Sequence, residues 1–288
     1  MQQYMVETEP QVSLSVLSRG KSPIQFVLIH GLASNARLWD GVAEILAEWG
    51  YGSIAIDLRG HGQSSRPSDG YNHETICRDL KVVIDRWSPD ERKGEHLVWL
   101  GQSWGAAVVC DFALRYPVKV DSLILVDGGL VDLKSAFDDW ESCKLALTPP
   151  DLTGATASQL EQWIRQSHPD WSDVAVAGTL ASMETTDSGT IRPRLSRQHH
   201  MEILEQLYKY DPIATIAKLA VPMHFLLADR QNSSMRSQRE SAIAALREVS
   251  QATFDIFENS DHDLHAQYPY QVASVARDIL LDLDGEAL

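Results

Sequence analysis

The apolar positions of this chain follow two alternating rhythms. Val12, Leu14 and Val16 are separated by Ser13 and Ser15, a period of two that predicts a half-exposed strand. Short unbroken apolar runs follow at Phe26 to Ile29, Ser53 to Ile56, Leu97 to Leu100 and Leu123 to Val126. Such runs predict strands buried on both faces, as in a parallel sheet covered by helices. Between them the apolar residues recur at three and four. Trp39, Val42, Ile45 and Leu46 predict a helix from Leu38 to Trp49 that stops at Gly50, and Ile76, Leu80, Val83 and Ile84 predict another from Thr75 to Trp87. Strand and helix in alternation are the mark of β-α units.

From about residue 130 to about 210 the texture changes. Strand patterns give out, and Trp140, Trp163, Trp171, Pro149, Pro150 and Pro169 lie among helical stretches. Strand patterns return at Met223 to Leu227 and at Thr253 to Phe257. A polar loop is expected from Arg230 to Arg239, then a helix around Ile243 to Val249, and an amphipathic stretch from Pro269 to Leu283 closes the chain. The expected fold is α/β, a mostly parallel sheet with helices on both faces. Residues 1–129 and 216–288 form its core, and a helical cap is inserted over 130–215.

Composition narrows the function. With 288 residues, 44% hydrophobic and 23% charged, the chain suits one large core and excludes disordered and fibrous classes. Its 25 Lys+Arg against 40 Asp+Glu give a formal charge of −15, which repels phosphate backbones and anionic lipid. Nucleic acid and membrane are therefore not expected as partners. Cys77, Cys110 and Cys143 have neither metal-type nor redox-type spacing, and the first ten residues contain no apolar stretch of the secretory kind. The expectation is a soluble cytoplasmic protein without metal or cofactor, acting on a small molecule as a monomer or homodimer.

The sharpest chemical signal is Gly101-Gln102-Ser103-Trp104-Gly105, placed between the strand at Leu97 to Leu100 and a helix ending near Pro117. A serine on so tight a strand-to-helix turn is held exposed at the strand's end, and the flanking glycines let sheet and helix backbones approach. A serine hydroxyl is a poor nucleophile at neutral pH and needs a histidine base with an orienting acid. Among ten histidines, His262 and His265 lie just after the Thr253 to Phe257 strand, in a loop at the sheet's end. His262 is the favoured base.

His30-Gly31, Asp57-x-Arg59-Gly60-x-Gly62-x-Ser64, Gly101-x-Ser103-x-Gly105 and the late His262 occur here in the order seen in the α/β-hydrolase superfamily, which the chain resembles over residues 24–129 and 221–280. The resemblance implies Ser103 as nucleophile, His262 as base, and the backbone N–H groups of Leu32 and Trp104 as the oxyanion hole. It also implies that Asp57 and Arg59 support a loop rather than react. The acid departs from the commonest pattern, because after the strand Met223 to Leu227 the Gly-x-x-Asp of many relatives is replaced by Ala228 and Gln231. Asp127, after the preceding strand, is the first candidate; Asp229 is the second, and Asp261 stays open.

His30, Gly31 and Leu130 are candidate substrate contacts, with Leu32 and Leu133 at the floor or mouth and Trp104 as the aromatic beside the nucleophile. Trp140, Trp163, Trp171, Met183, Leu195 and Met201 could roof an apolar pocket. The expected activity is hydrolysis of a small or medium apolar ester, thioester or lactone through an acyl-enzyme on Ser103. The alternatives are a C–C bond hydrolase, a lyase or a cofactor-free oxygenase on the same fold, or a non-enzymatic ligand receptor.

Overall fold

The structure, a computed structural model, describes residues 1–21, 23–87, 96–229 and 236–285. It opens with strands β1 (Gln2–Glu9), β2 (Val12–Arg19) and β3 (Ile24–Ile29), then helix α1 (Asp40–Glu48), β4 (Gly52–Ile56), α2 (His73–Trp87), β5 (Val98–Gln102), α3 (Trp104–Arg115) and β6 (Ser122–Val126). Six helices and a hairpin follow: α4 (Leu133–Ala136), α5 (Trp140–Leu147), α6 (Ala157–Ser167), α7 (Asp173–Leu180), β7 (Met183–Thr185), β8 (Ile191–Pro193), α8 (Arg197–Lys209) and α9 (Pro212–Ile216). The chain then returns to the sheet with β9 (Met223–Asp229), α10 (Arg236–Val249), β10 (Thr253–Glu258), α11 (Leu264–Gln267) and α12 (Pro269–Gly285).

Eight strands form one sheet in the order β1-β2-β4-β3-β5-β6-β9-β10. β1, β2 and β4 pair antiparallel, and every pairing from β4 to β10 is parallel. The unbroken apolar runs have two destinations because side chains alternate across a sheet. Val27, Ile29, Trp99, Leu125 and Phe225 face the layer that includes α2 and α3. Phe26, Leu28, Val98, Ile124 and Leu226 face α1 and α12. The parallel connections bring the carboxyl ends of β3, β5, β6 and β9 to one edge of the sheet, where crevices form in open α/β folds.

The expected strands and helices of the sheet appear within a few residues of their predicted bounds. Three places differ. β1 is a strand where none was expected, because on this antiparallel edge only Val6 of its eight residues is buried, too faint an alternation to read. The segment between β6 and β9 is not purely helical, since β7 and β8 form a two-stranded antiparallel hairpin. Its helices start where their sequence says they should: Asp139, Thr156, Ser172 and Ser196 each cap a first turn through the side-chain oxygen. Of the polar loop expected over 230–239, residues 230–235 lie outside the described ones, and Arg236 already begins α10.

The segment docks on the core through α7. Asn35, in the loop after β3, donates its Nδ2–H to the Gly178 carbonyl at 2.8 Å, and a Cβ on Gly178 would stand 2.9 Å from the Arg37 carbonyl oxygen. Only glycine lets these backbones come so close. Among the described residues no helix is long and apolar enough to cross a membrane.

Candidate active site

Ser103 sits between β5 and α3 at φ 54°, ψ −119°, in the left-handed half of the map that a non-glycine residue occupies only under strain. The strain is held from both sides. Its N–H donates to the Val126 carbonyl at 3.0 Å, and its own carbonyl accepts from the Ala106 N–H at 3.0 Å. A Cβ on Gly101 would come within 2.4 Å of the Gly105 carbonyl oxygen, and one on Gly105 within 2.5 Å of the His30 carbonyl oxygen. The two glycines therefore let strand and helix close around the serine.

The register of the sheet sets what stands beside it. Gln102 pairs with Val126, so Ser103 and Asp127 leave neighbouring strand ends at the same level. Asp127 also has a positive φ, 41°. Its Oδ1 accepts the Ala228 N–H at 3.1 Å, and its Oδ2 accepts the Nδ1–H of His262 at 2.6 Å. His262 arrives from the turn after β10, where Asn259 takes φ 54° and Ser260 Oγ donates to the Phe257 carbonyl at 2.6 Å. Ser103 and His262 both line a cavity of about 200 Å³, with Leu32, Gln102, Thr179 and Ser182 also in its wall.

The other carboxylates have other engagements. Asp229 accepts from Arg239 Nη2 at 3.0 Å. Asp261 accepts from His168 Nδ1 at 2.6 Å, which ties the end of α6 to the turn carrying His262. Gln231 lies outside the described residues. His265 lies away from the cavity, fully buried against Trp39 with ring centroids 4.2 Å apart, and burial pushes its imidazole down to about 3.

The loop carrying the Leu32 amide is built by two buried histidines. His30 Nδ1–H donates to the Gly31 carbonyl at 2.7 Å, and its Nε2 accepts the Leu58 N–H at 3.0 Å. His61 Nδ1–H donates to the Arg59 carbonyl at 3.0 Å, and its Nε2 accepts the Ala33 N–H at 3.2 Å. Burial lowers both imidazoles. Neutral rings are what these bonds need, since each uses one nitrogen as donor and the other as acceptor. The Trp104 amide opens α3, where the first N–H groups of a helix have no intrahelical acceptor.

Several expected substrate contacts are not among the residues lining the Ser103 cavity. His30 is fully buried, its ring spent on the turn, and presents no face to the cavity. Gly31 is pressed against the elbow, where a Cβ would stand 2.2 Å from Gln102 Oε1 and 3.1 Å from Ser103 Cβ. Leu130 is buried beside a separate cavity with Ile213 and Arg239, and Leu133 packs on Cys143 and Leu204. The Trp104 indole faces inward, stacked on His61, and donates Nε1–H to His73 Nε2 at 3.1 Å. Of the tryptophans expected to roof the site, Trp163 is 60% exposed, Trp171 is buried with Leu160 and Ile164, and Trp140 packs on Tyr208. Sequence reasoning missed Gln102, whose Nε2 donates to the His262 carbonyl at 3.3 Å and so joins the elbow to the histidine turn. As the variable residue of its pentapeptide it carries no signal of that role.

The profile of the α/β hydrolase fold matches residues 25–208. An uncharacterized protein of Mycobacterium tuberculosis is 39% identical over 106 residues, 36% of this chain and 28% of that protein. The AB hydrolase superfamily protein YisY of Bacillus subtilis is 34% identical over 125 residues, 43% of this chain and 44% of that protein. The matched stretch thus spans less than half the length of either relative. Among solved structures, E-2-(acetamidomethylene)succinate hydrolase superposes with a TM-score of 0.78 at 20% identity, covering 98% of this chain and 99% of that one. With its elbow, sheet order and matched profile, the chain belongs to the α/β-hydrolase fold family.

Proposed function

We propose that the protein is a serine hydrolase that cleaves a small or medium ester, thioester or lactone through an acyl-enzyme on Ser103. The observation that carries this reading is the 2.6 Å bond from His262 Nδ1–H to Asp127 Oδ2, with His262 lining the same cavity as the strained Ser103. That bond leaves Nε2 of a neutral His262 without a proton, the tautomer a general base requires. In this reading His262 takes the Ser103 proton as Oγ attacks the acyl carbon. The Leu32 and Trp104 amides receive the developing oxyanion, each worth about 3 kcal/mol in the transition state. His262 then returns the proton to the leaving group, and water, activated by the same imidazole, releases the acid and regenerates Ser103. Asp127 stays ionised throughout and steadies the imidazolium. Residues 130–215 serve as the cap over this site.

The test is hydrolysis of a chain-length series of p-nitrophenyl acyl esters by the wild-type protein beside Ser103→Ala. Turnover lost in a variant of unchanged melting temperature supports acyl-enzyme chemistry. A folded wild-type protein no faster than the variant across the series would remove the proposal.

A further inference from the structure

The Ser103 cavity has a larger neighbour. Against hairpin β7–β8 lies a second cavity of about 360 Å³, and Ala33, Ser34 and Ser182 line both, so the two share a wall. Its charge is uneven. Arg192, Arg194 and Arg197 line it against one carboxylate, Asp151. In a chain of net charge −15 such a group of cations is a local arrangement that runs against the field of the whole molecule. His61 and His200 also line it, but burial lowers both imidazoles, so neither adds charge at neutral pH. Met183, Ile191, Pro193 and Leu195 supply apolar wall.

The three guanidinium groups are not equivalent. Arg192 is taken by Glu184, which also holds Arg66. Arg197 stands in the field of Asp151. Arg194 is fixed at the shared wall, because its backbone N–H donates to the Ser182 carbonyl at 2.9 Å, and its Nε is buried without a hydrogen-bond partner among the described residues. Arg194 as a whole is only half-buried, and with no carboxylate paired to it among the described residues its guanidinium is available to a ligand oxygen. The planar guanidinium fork matches a carboxylate in two parallel hydrogen bonds.

We propose that this second cavity binds a carboxylate at the far end of the substrate, held by Arg194 with Arg197 beside it, while the scissile acyl group lies next door at Ser103. The proposal rests on the hydrolase reading above and narrows its substrate class, from a small or medium ester, thioester or lactone to one with an apolar stem and an acidic end.

Two measurements test it separately from that reading. The first compares p-nitrophenyl hemiesters of glutaric, adipic and pimelic acids with p-nitrophenyl butyrate, valerate and hexanoate, uncatalysed rates subtracted. The wild-type protein is expected to favour one hemiester over its neutral counterpart by about tenfold or more in kcat/KM, and the ratio to fall toward one in Arg194→Gln. A ratio near one in the wild type, or unchanged in the variant, overturns the proposal. Should Arg194→Gln fail to fold, Arg194→Lys, which keeps the charge and loses the fork, is expected to lower the ratio as well.

The second is calorimetric titration of Ser103→Ala with glutarate, adipate and inorganic phosphate, which needs no turnover. Dicarboxylate binding that disappears on adding Arg194→Gln supports the site. Phosphate binding as tight as adipate, or no dicarboxylate binding, overturns it. If no ester of either series is turned over, the hydrolase reading falls while the titration still decides the carboxylate site.

Discussion

His262 donates its Nδ1–H to Asp127 Oδ2 at 2.6 Å across 135 residues of chain, and the other oxygen of that carboxylate is held by the Ala228 N–H at 3.1 Å. A carboxylate fixed at both oxygens sets the plane of the imidazole as well as its tautomer. Asp127→Asn is therefore expected to lower kcat by about 10³- to 10⁴-fold with the fold intact, since an amide there permits the wrong tautomer. Asp229→Asn is expected to leave kcat within about threefold of wild type and to lower the melting temperature by at most a few degrees, because it removes the charge facing Arg239, which keeps its hydrogen bond to the Ala228 carbonyl. Steady-state kinetics and melting curves of the two variants check this; a larger kcat loss in Asp229→Asn would reverse the assignment of the acid.

What was legible in the sequence divides along a physical line. The elbow at Ser103 is readable because two glycines at fixed offsets determine the backbone path, whereas Asp127 is offered only by the family resemblance, and that it leaves its strand level with Ser103 is a finding of the structure. The polar face of a turn was not readable. His30 follows a strand and precedes Gly31, a placement equally compatible with pointing at a ligand and with turning inward to hold the Leu58 N–H. The arginine-lined cavity is not readable either, because Arg192 on β8, Arg194 after it and Arg197 at the start of α8 meet around one cavity only once the three-residue strands of β7 and β8 pair. Such short strands carry too few alternations to register as a period.

Gly128 is expected to tolerate no side chain. A Cβ there would stand 2.3 Å from the Ser103 carbonyl oxygen and 2.7 Å from both its Cα and N, all backbone atoms that have no room to yield. Gly128→Ala should shift the serine and lower kcat/KM by about 100-fold or more, together with a reduced melting temperature. An active Gly128→Ala of wild-type stability would show that the elbow is looser than its hydrogen bonds indicate.

The Trp104 indole is held by a part-buried chain of two hydrogen bonds, its Nε1–H to His73 Nε2 at 3.1 Å and the His73 Nδ1–H to Asp111 Oδ2 at 3.1 Å. Burial raises the Asp111 carboxyl, but the hydrogen bond from His73 and the nearby Arg115 guanidinium outweigh it and the group is held below its ordinary value. His73→Leu leaves the indole donor without an acceptor at a cost of about 1–3 kcal/mol, or about 2–4 °C of melting temperature per kcal/mol. His73→Gln, whose amide oxygen can accept the indole N–H, should recover part of the loss. Equal destabilisation by both variants would mean that packing volume, not the hydrogen bond, is what His73 supplies.

Acid should unfold the protein partly through His265. Its imidazole ionises near its ordinary value in the unfolded chain and at about 3 in the folded one, where burial and the nearby His262 and His30 disfavour the charged form. Between those values the unfolded state binds the extra proton, so the contribution is complete above about pH 6.5 and is lost as pH falls toward 3, at up to about 1.4 kcal/mol per pH unit. His61 and His30 are lowered in the same direction by burial and add to the slope. Urea unfolding of wild type and His265→Leu at half-unit steps from pH 7 to pH 4 separates its share, since leucine binds no proton in either state. The variant's stability should fall less steeply with acidification whatever its stability at pH 7, and parallel curves would show that His265 titrates alike in both states.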